Sequence, residues 1–293
     1  MEEIWKKYYL LYNPYASNGR SKFEAECIDF ANPFNNTSII DMSEIRDYHI
    51  FFKSLNEQDG IVIFGGDGTL NRFINDTKNI HISNKIYYYP VGTENDFYRD
   101  ISNQEPKIIE ITKYLNNLPS VLVKEKEYKF INGIGYGIDG YCCQEGNELR
   151  KKNKKKINYI NIAIKGLLFH YKPTNAKVII DDKEYYFKKV WIAPTMYGSK
   201  YGGGMIPTPD QNRNKDYLSI MIFHGCGKMK TLFIFPSIFK GKHVKYKKHV
   251  KILTGRNIEV IFDKKRPLQI DGEVVKDVKE YIAFINKKEN FNE

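Results

Sequence analysis

No apolar run in the 293-residue sequence approaches 18 residues, so no segment reads as a membrane-crossing helix. With 42% hydrophobic residues the sequence instead suits a soluble chain with a sizeable core. The start, Met1 to Lys7, lacks the basic region and apolar stretch of a signal peptide. Cysteine is scarce. Cys142 and Cys143 are adjacent, Cys27 and Cys226 are distant, and this spacing makes no metal pattern; a cytosolic chain with reduced thiols is expected. His170, His224, His243 and His249 have no ligand spacing with carboxylates or cysteines, and His243 and His249, inside a basic segment, are expected at the surface. No Ser/His/Asp arrangement and no internal repeat stands out.

Negative charge is the other shortage. The formal net charge is +11, which invites an anionic partner. The lysines are clustered, at residues 150–156 and 240–251, and each cluster is either a solvated face or a surface for nucleic acid or an anionic membrane. Abundant lysine, asparagine, isoleucine and tyrosine also fit an AT-rich codon bias, which would supply some of this charge without function.

What the chain does have is alternation. Residues 8–12, 38–40, 60–64 and 86–89 read as short buried strands, with helices expected over 21–30, 44–55 and after residue 69. Residues 108–111 add one more strand. This order implies a parallel sheet with helices on both faces. From about residue 120 the pattern turns β-rich, with strands expected over 121–123, 128–131, 176–180, 185–193, 218–223, 257–262, 268–270 and 281–285, and helices only over 157–170 and 229–239. Two domains follow, residues 1–125 as an α/β domain and 126–293 as a β-rich sandwich.

Two turns carry the chemistry. Gly65-Gly66-Asp67-Gly68-Thr69 links an apolar strand to a helix, where the backbone approaches a ligand closely and helix N–H groups meet phosphate. Asp67 either holds Mg²⁺ on a polyphosphate or caps the helix. Residues 90–99, Pro-Val-Gly-Thr-Glu-Asn-Asp-Phe-Tyr-Arg, repeat the strand-to-turn arrangement. In a parallel sheet both turns belong outside the carboxyl ends of the strands. Thr69 and Thr93 each offer a hydroxyl to a phosphate oxygen or to a helix cap. Asn95 and Asp96 orient nucleotide or metal-bound water, or cap a helix; Arg99 meets phosphate or pairs with Asp96 or Asp100.

Together these turns resemble the diacylglycerol kinase catalytic-domain family, which includes bacterial lipid kinases and the sphingosine and ceramide kinases. Asn13-Pro14-Tyr15-Ala16-Ser17-Asn18-Gly19, the glycine-rich residues 132–139, Gly202-Gly203-Gly204 and Asp271-Gly272-Glu273 match further family stretches in order. The resemblance implies a Rossmann-like parallel sheet of the NAD kinase/diacylglycerol kinase type, followed by a sandwich. It implies ATP and Mg²⁺ as cofactors, with Asn13, Pro14, Ser17, Gly19, Gly65, Gly66, Asp67, Gly68, Thr69, Asn71, Gly92, Thr93, Asn95 and Asp96 around the nucleotide. Asp139 and Arg99 are placed toward the acceptor cleft, although the glycines around Asp139 also suit a β-bulge. Glu273 is expected as the general base and Asp271 in an orienting or metal-linked role, with Asp67 completing the catalytic set. On local pattern alone, Asp-Gly is a hairpin tip.

Diacylglycerol is the expected acceptor, with a sphingoid base or another hydroxylated lipid next. The expected partners are a lipid substrate and an anionic membrane surface bound peripherally from the cytoplasm, with a homodimer possible. A small-molecule kinase of the same superfamily, acting on NAD or fructose 6-phosphate, is the alternative enzyme. A non-catalytic nucleic-acid-binding protein would explain the charge but leaves the Asp67, Asp96 and Asp271 turns unused. One departure stands out: where the family carries an aspartate for a structural Mg²⁺, residues 214–220 place Lys215, and only a one-residue shift brings Asp216 there.

Overall fold

The structure is a computed structural model describing residues 7–31, 36–92, 95–102, 104–152 and 159–286. The chain divides into two compact units, residues 1–116 and 117–293.

The first unit runs β1 (Tyr8–Tyr12), α1 (Arg20–Ala31), β2 (Thr37–Asp41), α2 (Tyr48–Lys53), β3 (Gly60–Gly65), α3 (Asp67–Asp76), β4 (Lys85–Pro90), α4 (Asp96–Ile101), β5 (Ile109–Glu110) and α5 (Thr112–Leu115). Its sheet order is β2-β1-β3-β4-β5. The first four strands are parallel, and β5 pairs antiparallel with β4, a departure from the all-parallel expectation. Every residue of β3 is buried, as a central strand covered on both faces must be. The period-2 alternation sorts the faces. Leu10, Val62 and Phe64 pack with Ala25 of α1. Tyr9, on the opposite face, meets Phe51 of α2 edge-on, and Tyr48 and Phe52 of α2 meet Phe73 of α3. Helices therefore cover both faces. The helix expected over 44–55 is confined to α2, because Asp47 accepts from the N–H groups of His49 and Ile50 and starts the helix there.

The second unit runs β6 (Ser120–Val123), β7 (Lys126–Lys129), β8 (Gly133–Tyr136), α6 (Ile138–Lys151), α7 (Tyr159–Lys165) with a π-helical continuation Gly166–His170, then β9 (Thr174–Ile180), β10 (Lys183–Val190), β11 (Thr195–Met196), β12 (Leu218–Phe223), α8 (Lys228–Ile234), β13 (Val250–Gly255), β14 (Asn257–Ile270) and β15 (Glu273–Phe284). All its pairings are antiparallel. The 14-residue β14 organises it. Along one edge β14 pairs with β15; along the other it pairs with β9 through 258–262 and with β8 through 268–270. Register shifts between Ile261 and Leu268 separate those two pairings, so one strand serves two parts of the β-sandwich. Tyr136 of β8 stacks on Phe262 of β14 at 3.9 Å between ring centroids. The helices bury Ile138, Leu167 and Ile234 in a cluster with Trp191, Met221 and Phe223 of the sheet region.

Three expectations change here. Residues 257–262 and 268–270 are one strand. The glycine-rich segment after Asn132 is strand β8 leading into helix α6, so Asp139 opens a helix and does not sit in a bulge. His243 and His249 are buried, each with a ring nitrogen on a backbone carbonyl, of Pro207 and His224 respectively, so their basic neighbours misdirected the surface expectation.

Candidate nucleotide and acceptor sites

Register brings the first unit's loops together. Tyr12 of β1 lies beside Phe64 of β3, and Gly65 beside Pro90 of β4, so the segments following β1, β3 and β4 leave the sheet together at the strands' carboxyl ends. Hydrogen bonds then tie them. Asn13 donates from Nδ2 to Thr69 Oγ1 at 3.1 Å, while its Oδ1 accepts from the Tyr15 N–H at 3.0 Å. Asp67 Oδ2 accepts from the Asp96 N–H at 2.7 Å, and Oδ1 from the Phe97 N–H at 3.3 Å. Asp67 thus satisfies orphan donors of the α4 N-terminus from the first turn of α3.

The glycines fit this closeness. A Cβ on Gly65 would stand 2.5 Å from the Thr69 Cβ, so glycine lets Thr69 turn back over the strand end. A Cβ on Gly68 would meet nothing within 4 Å, so the turn has open space in front of it. Gly66 takes the N-cap position of α3 with no side-chain cap, leaving early N–H groups of the helix without that partner. Thr69, Asn71, Asn95 and Asp96 are buried. Asn95 Nδ2 donates to the Gly92 carbonyl at 3.0 Å. Pro14 begins the turn into the Ala16–Gly19 3₁₀ segment; Gly19 and Gly92 take positive φ. Thr93 and the Ser17 side chain lie outside the described residues. Arg99, in the last turn of α4, is exposed.

In the second unit, Asp271 and Gly272 have φ of 46° and 96°, the two positive values of a type I′ hairpin turn between β14 and β15. The Asp271 carboxylate is engaged. Its Oδ2 accepts from the Ile131 N–H at 2.7 Å, and its Oδ1 from the Asn132 and Gly133 N–H groups, each at 2.9 Å. Glu273, two residues on, is exposed at the start of β15.

Asp139, in the first turn of α6, is 6% exposed. Its Oδ2 accepts from the Tyr201 hydroxyl at 2.9 Å and its Oδ1 from the Gly140 N–H at 2.9 Å, with Gln269 as a further donor. Burial pushes its pKa up to about 6 against the pull of these hydrogen bonds. Burial, then the neighbouring Asp139, raises the Tyr201 hydroxyl well above its usual value. A Cβ on Gly135 would overlap the Asp139 carboxylate, so glycine there makes the room. Gln269 also accepts, through Oε1, from the Gly272 N–H at 2.6 Å, linking Asp139 to the hairpin turn.

Sequence reasoning missed Arg213, Tyr201 and Gln269. Arg213 is buried, donates from Nη1 to the Ile131 carbonyl at 2.9 Å and lies over the Tyr197 ring. It therefore braces the strand entry whose N–H groups Asp271 holds. Nothing periodic marks it in the polar residues 208–216; Tyr201 at least adjoins the Gly202-Gly203-Gly204 run. Asp216 stands with its Oδ2 4.0 Å from Arg256 Nη1, and no cluster of three or more His, Cys, Asp or Glu side chains fit to hold a metal occurs among the described residues. Asp216, expected as a metal ligand, thus stands beside an arginine.

Residues 7–122 match the family model of the diacylglycerol kinase catalytic domain, and residues 132–284 that of the YegS C-terminal NAD kinase beta sandwich-like domain. A protein of Staphylococcus aureus strain JH9 that bears the name putative lipid kinase is 27% identical over 225 residues, 74% of this chain and 71% of that one. The crystal structure titled as a putative diacylglycerol kinase from Bacillus anthracis superposes with a TM-score of 0.70 at 19% identity, covering 96% of this chain and 92% of that chain. A second Bacillus anthracis structure under the same description gives 0.67 at 18%, covering 98% and 96%. At such identities the superpositions speak for the fold. The two models, covering nearly the whole chain in the order of its two units, assign it to the lipid kinases of the diacylglycerol kinase family, built from that catalytic domain and the YegS-type sandwich.

Proposed function

We propose that the chain is an ATP-dependent kinase that phosphorylates the free hydroxyl of diacylglycerol, giving phosphatidic acid. The observation carrying the nucleotide half is the set of three loops at the carboxyl ends of β1, β3 and β4, bonded to one another through Asn13–Thr69 and Asp67–Asp96, beside the uncapped N-terminus of α3. That arrangement suits a polyphosphate: N–H donors and open space before Gly68 receive the phosphate oxygens, and the fixed loops spare the site reorganisation. Mg²⁺ keeps several waters and takes one or two carboxylates plus phosphate oxygens, so the absence of a three-ligand cluster among the described residues does not count against it. Asp67 and Asp96 are the carboxylates fit to hold it, and it would neutralise charge on the β- and γ-phosphates.

The acceptor hydroxyl oxygen attacks the γ-phosphorus, the bond to the leaving ADP breaks, and the hydroxyl proton passes to a base. We assign that base to Glu273. Asp271 already accepts three backbone N–H groups, whereas Glu273 is exposed and two residues away. Asp271 then has the orienting role, holding the β8 entry against the hairpin that carries Glu273.

The test is purified protein with Mg²⁺ and radiolabelled ATP, offered diacylglycerol, NAD and fructose 6-phosphate separately. Labelled phosphatidic acid is expected. Label in NAD or the sugar phosphate with none in lipid would overturn the reading. Extracted bacterial lipids in the same assay then rank diacylglycerol against other hydroxylated lipids.

A further inference from the structure

The second unit carries an apolar surface that its core does not use. Phe169, in the π-helical turn after α7, is 73% exposed, and Met229 and Phe233, four residues apart on α8, are 76% and 74% exposed. Their neighbours are anchored. Ala163, Leu167 and Ile234 from the same two helical segments are buried in one apolar cluster, and Lys228 Nζ donates to the Leu168 carbonyl at 2.6 Å. The outward aromatics are thus held on a packed base, with Lys228 joining the two segments. Exposing such side chains on adjacent elements is costly unless something covers them.

Charge indicates what. Every charged residue in 149–180 and in 217–258 is a lysine or an arginine. These stretches contain α7, its π continuation and α8, and exposed Lys165, Lys172, Lys228 and Lys230 flank the aromatics. Large apolar tips on segments whose only charges are basic match an anionic bilayer, where rings enter the acyl boundary while ammonium groups remain at the headgroups. A second copy of this chain would bring like charges together.

We propose that Phe169, Met229 and Phe233 form a membrane-insertion face by which the protein seats on anionic bilayers, the flanking lysines supplying the attraction. This rests on the lipid-kinase reading for its purpose, since a bilayer-borne acceptor must be reached at its surface, but its observations are independent of the reaction.

The experiment uses the full chain without ATP. Phe233→Trp and Phe169→Trp proteins are mixed with phosphatidylcholine vesicles with and without phosphatidylglycerol, with or without brominated acyl chains, and wild-type fluorescence is subtracted. Quenching of both new tryptophans in anionic brominated vesicles is expected. The Phe169→Ser/Phe233→Ser double variant should sediment with anionic vesicles about tenfold more weakly or worse, with an unchanged melting temperature. Unquenched tryptophans, or wild-type sedimentation of the double variant, would overturn insertion and leave the lysines as a surface contact only. A wild-type dimer that the double variant dissolves would assign the face to a second copy and equally overturn it. Turnover on detergent-dispersed diacylglycerol is read separately. Insertion without any lipid phosphorylation defeats the kinase reading alone; lipid phosphorylation without insertion defeats this one alone.

Discussion

Asp67 and Asp271 are alike in one respect: each is an aspartate in a glycine turn that binds backbone N–H groups of a distant segment. They differ in what stands beside them. Asp67 sits where a strand meets a helix, with open space at Gly68 and the α3 N-terminus next to it. Asp271 sits at a hairpin tip, and its neighbour in reach of solvent is another carboxylate, Glu273. A carboxylate in a conspicuous motif is therefore a structural tie in both units. On the proposed function, what each tie positions then matters: N–H groups for phosphate oxygens in the first, where Asp67 also stands fit for Mg²⁺, and Glu273 in the second.

The largest expected effect comes from loosening the first tie. Asp67→Asn turns an NH₂ group toward one of the α4 N–H donors and removes the charge, so turnover should fall roughly 10³-fold. Circular dichroism and melting should show a folded protein, destabilised by about 1–3 kcal/mol. Near-normal turnover would break the claim that the loops must be held together for nucleotide use.

Asp139 sharpens the comparison, because it is buried where Asp67 and Asp271 face N–H groups at turns. Its pKa rises in the folded state from 3.8 to about 6. Between those values the native carboxyl keeps its proton while the unfolded one has lost it, so stability falls as pH rises through that window. A rise of that size corresponds to a loss of about 3 kcal/mol. Unfolding in urea from pH 3.5 to 6.5 should show this loss in wild type and not in Asp139→Asn. Identical pH profiles would remove Asp139 as its source.

A smaller effect separates close packing from open space within the turns. Gly65→Ala should cost about 1–3 kcal/mol, because the new Cβ meets Thr69, whereas Gly68→Ala should be nearly neutral in stability and instead weaken ATP binding. Chemical denaturation and nucleotide titration of both variants check this. Equal stability losses would mean the space before Gly68 is not a ligand's.

Much of this was legible because local chemistry and tertiary context agree. Residues 60–64 are continuous apolar chain, and a strand buried on both faces needs that; 218–223 read as the strand observed at those residues. The turns at 65–69 and 271–273 were readable from glycine and aspartate. The commitments of their carboxylates were not, since the donors at Ile131–Gly133 lie nearly 140 residues from Asp271 and no local pattern encodes that pairing. Helix α6 was hidden by glycines that serve close packing at Gly135 and Gly140, not flexibility. Buried His243 and Arg213 were hidden by polar neighbours, because their partners are backbone carbonyls that sequence does not display.

The division of labour at the hairpin is the central claim, and paired variants test it most directly. Turnover and melting temperature are measured for Glu273→Gln and Asp271→Asn side by side. Glu273→Gln should lose roughly 10²–10⁴-fold in turnover with ATP binding and melting unchanged. Asp271→Asn should melt lower, since an amide cannot accept from all three N–H groups, at a cost of about 1–3 kcal/mol. A fully active Glu273→Gln beside an inactive Asp271→Asn of wild-type stability would contradict the assignment and make Asp271 the base.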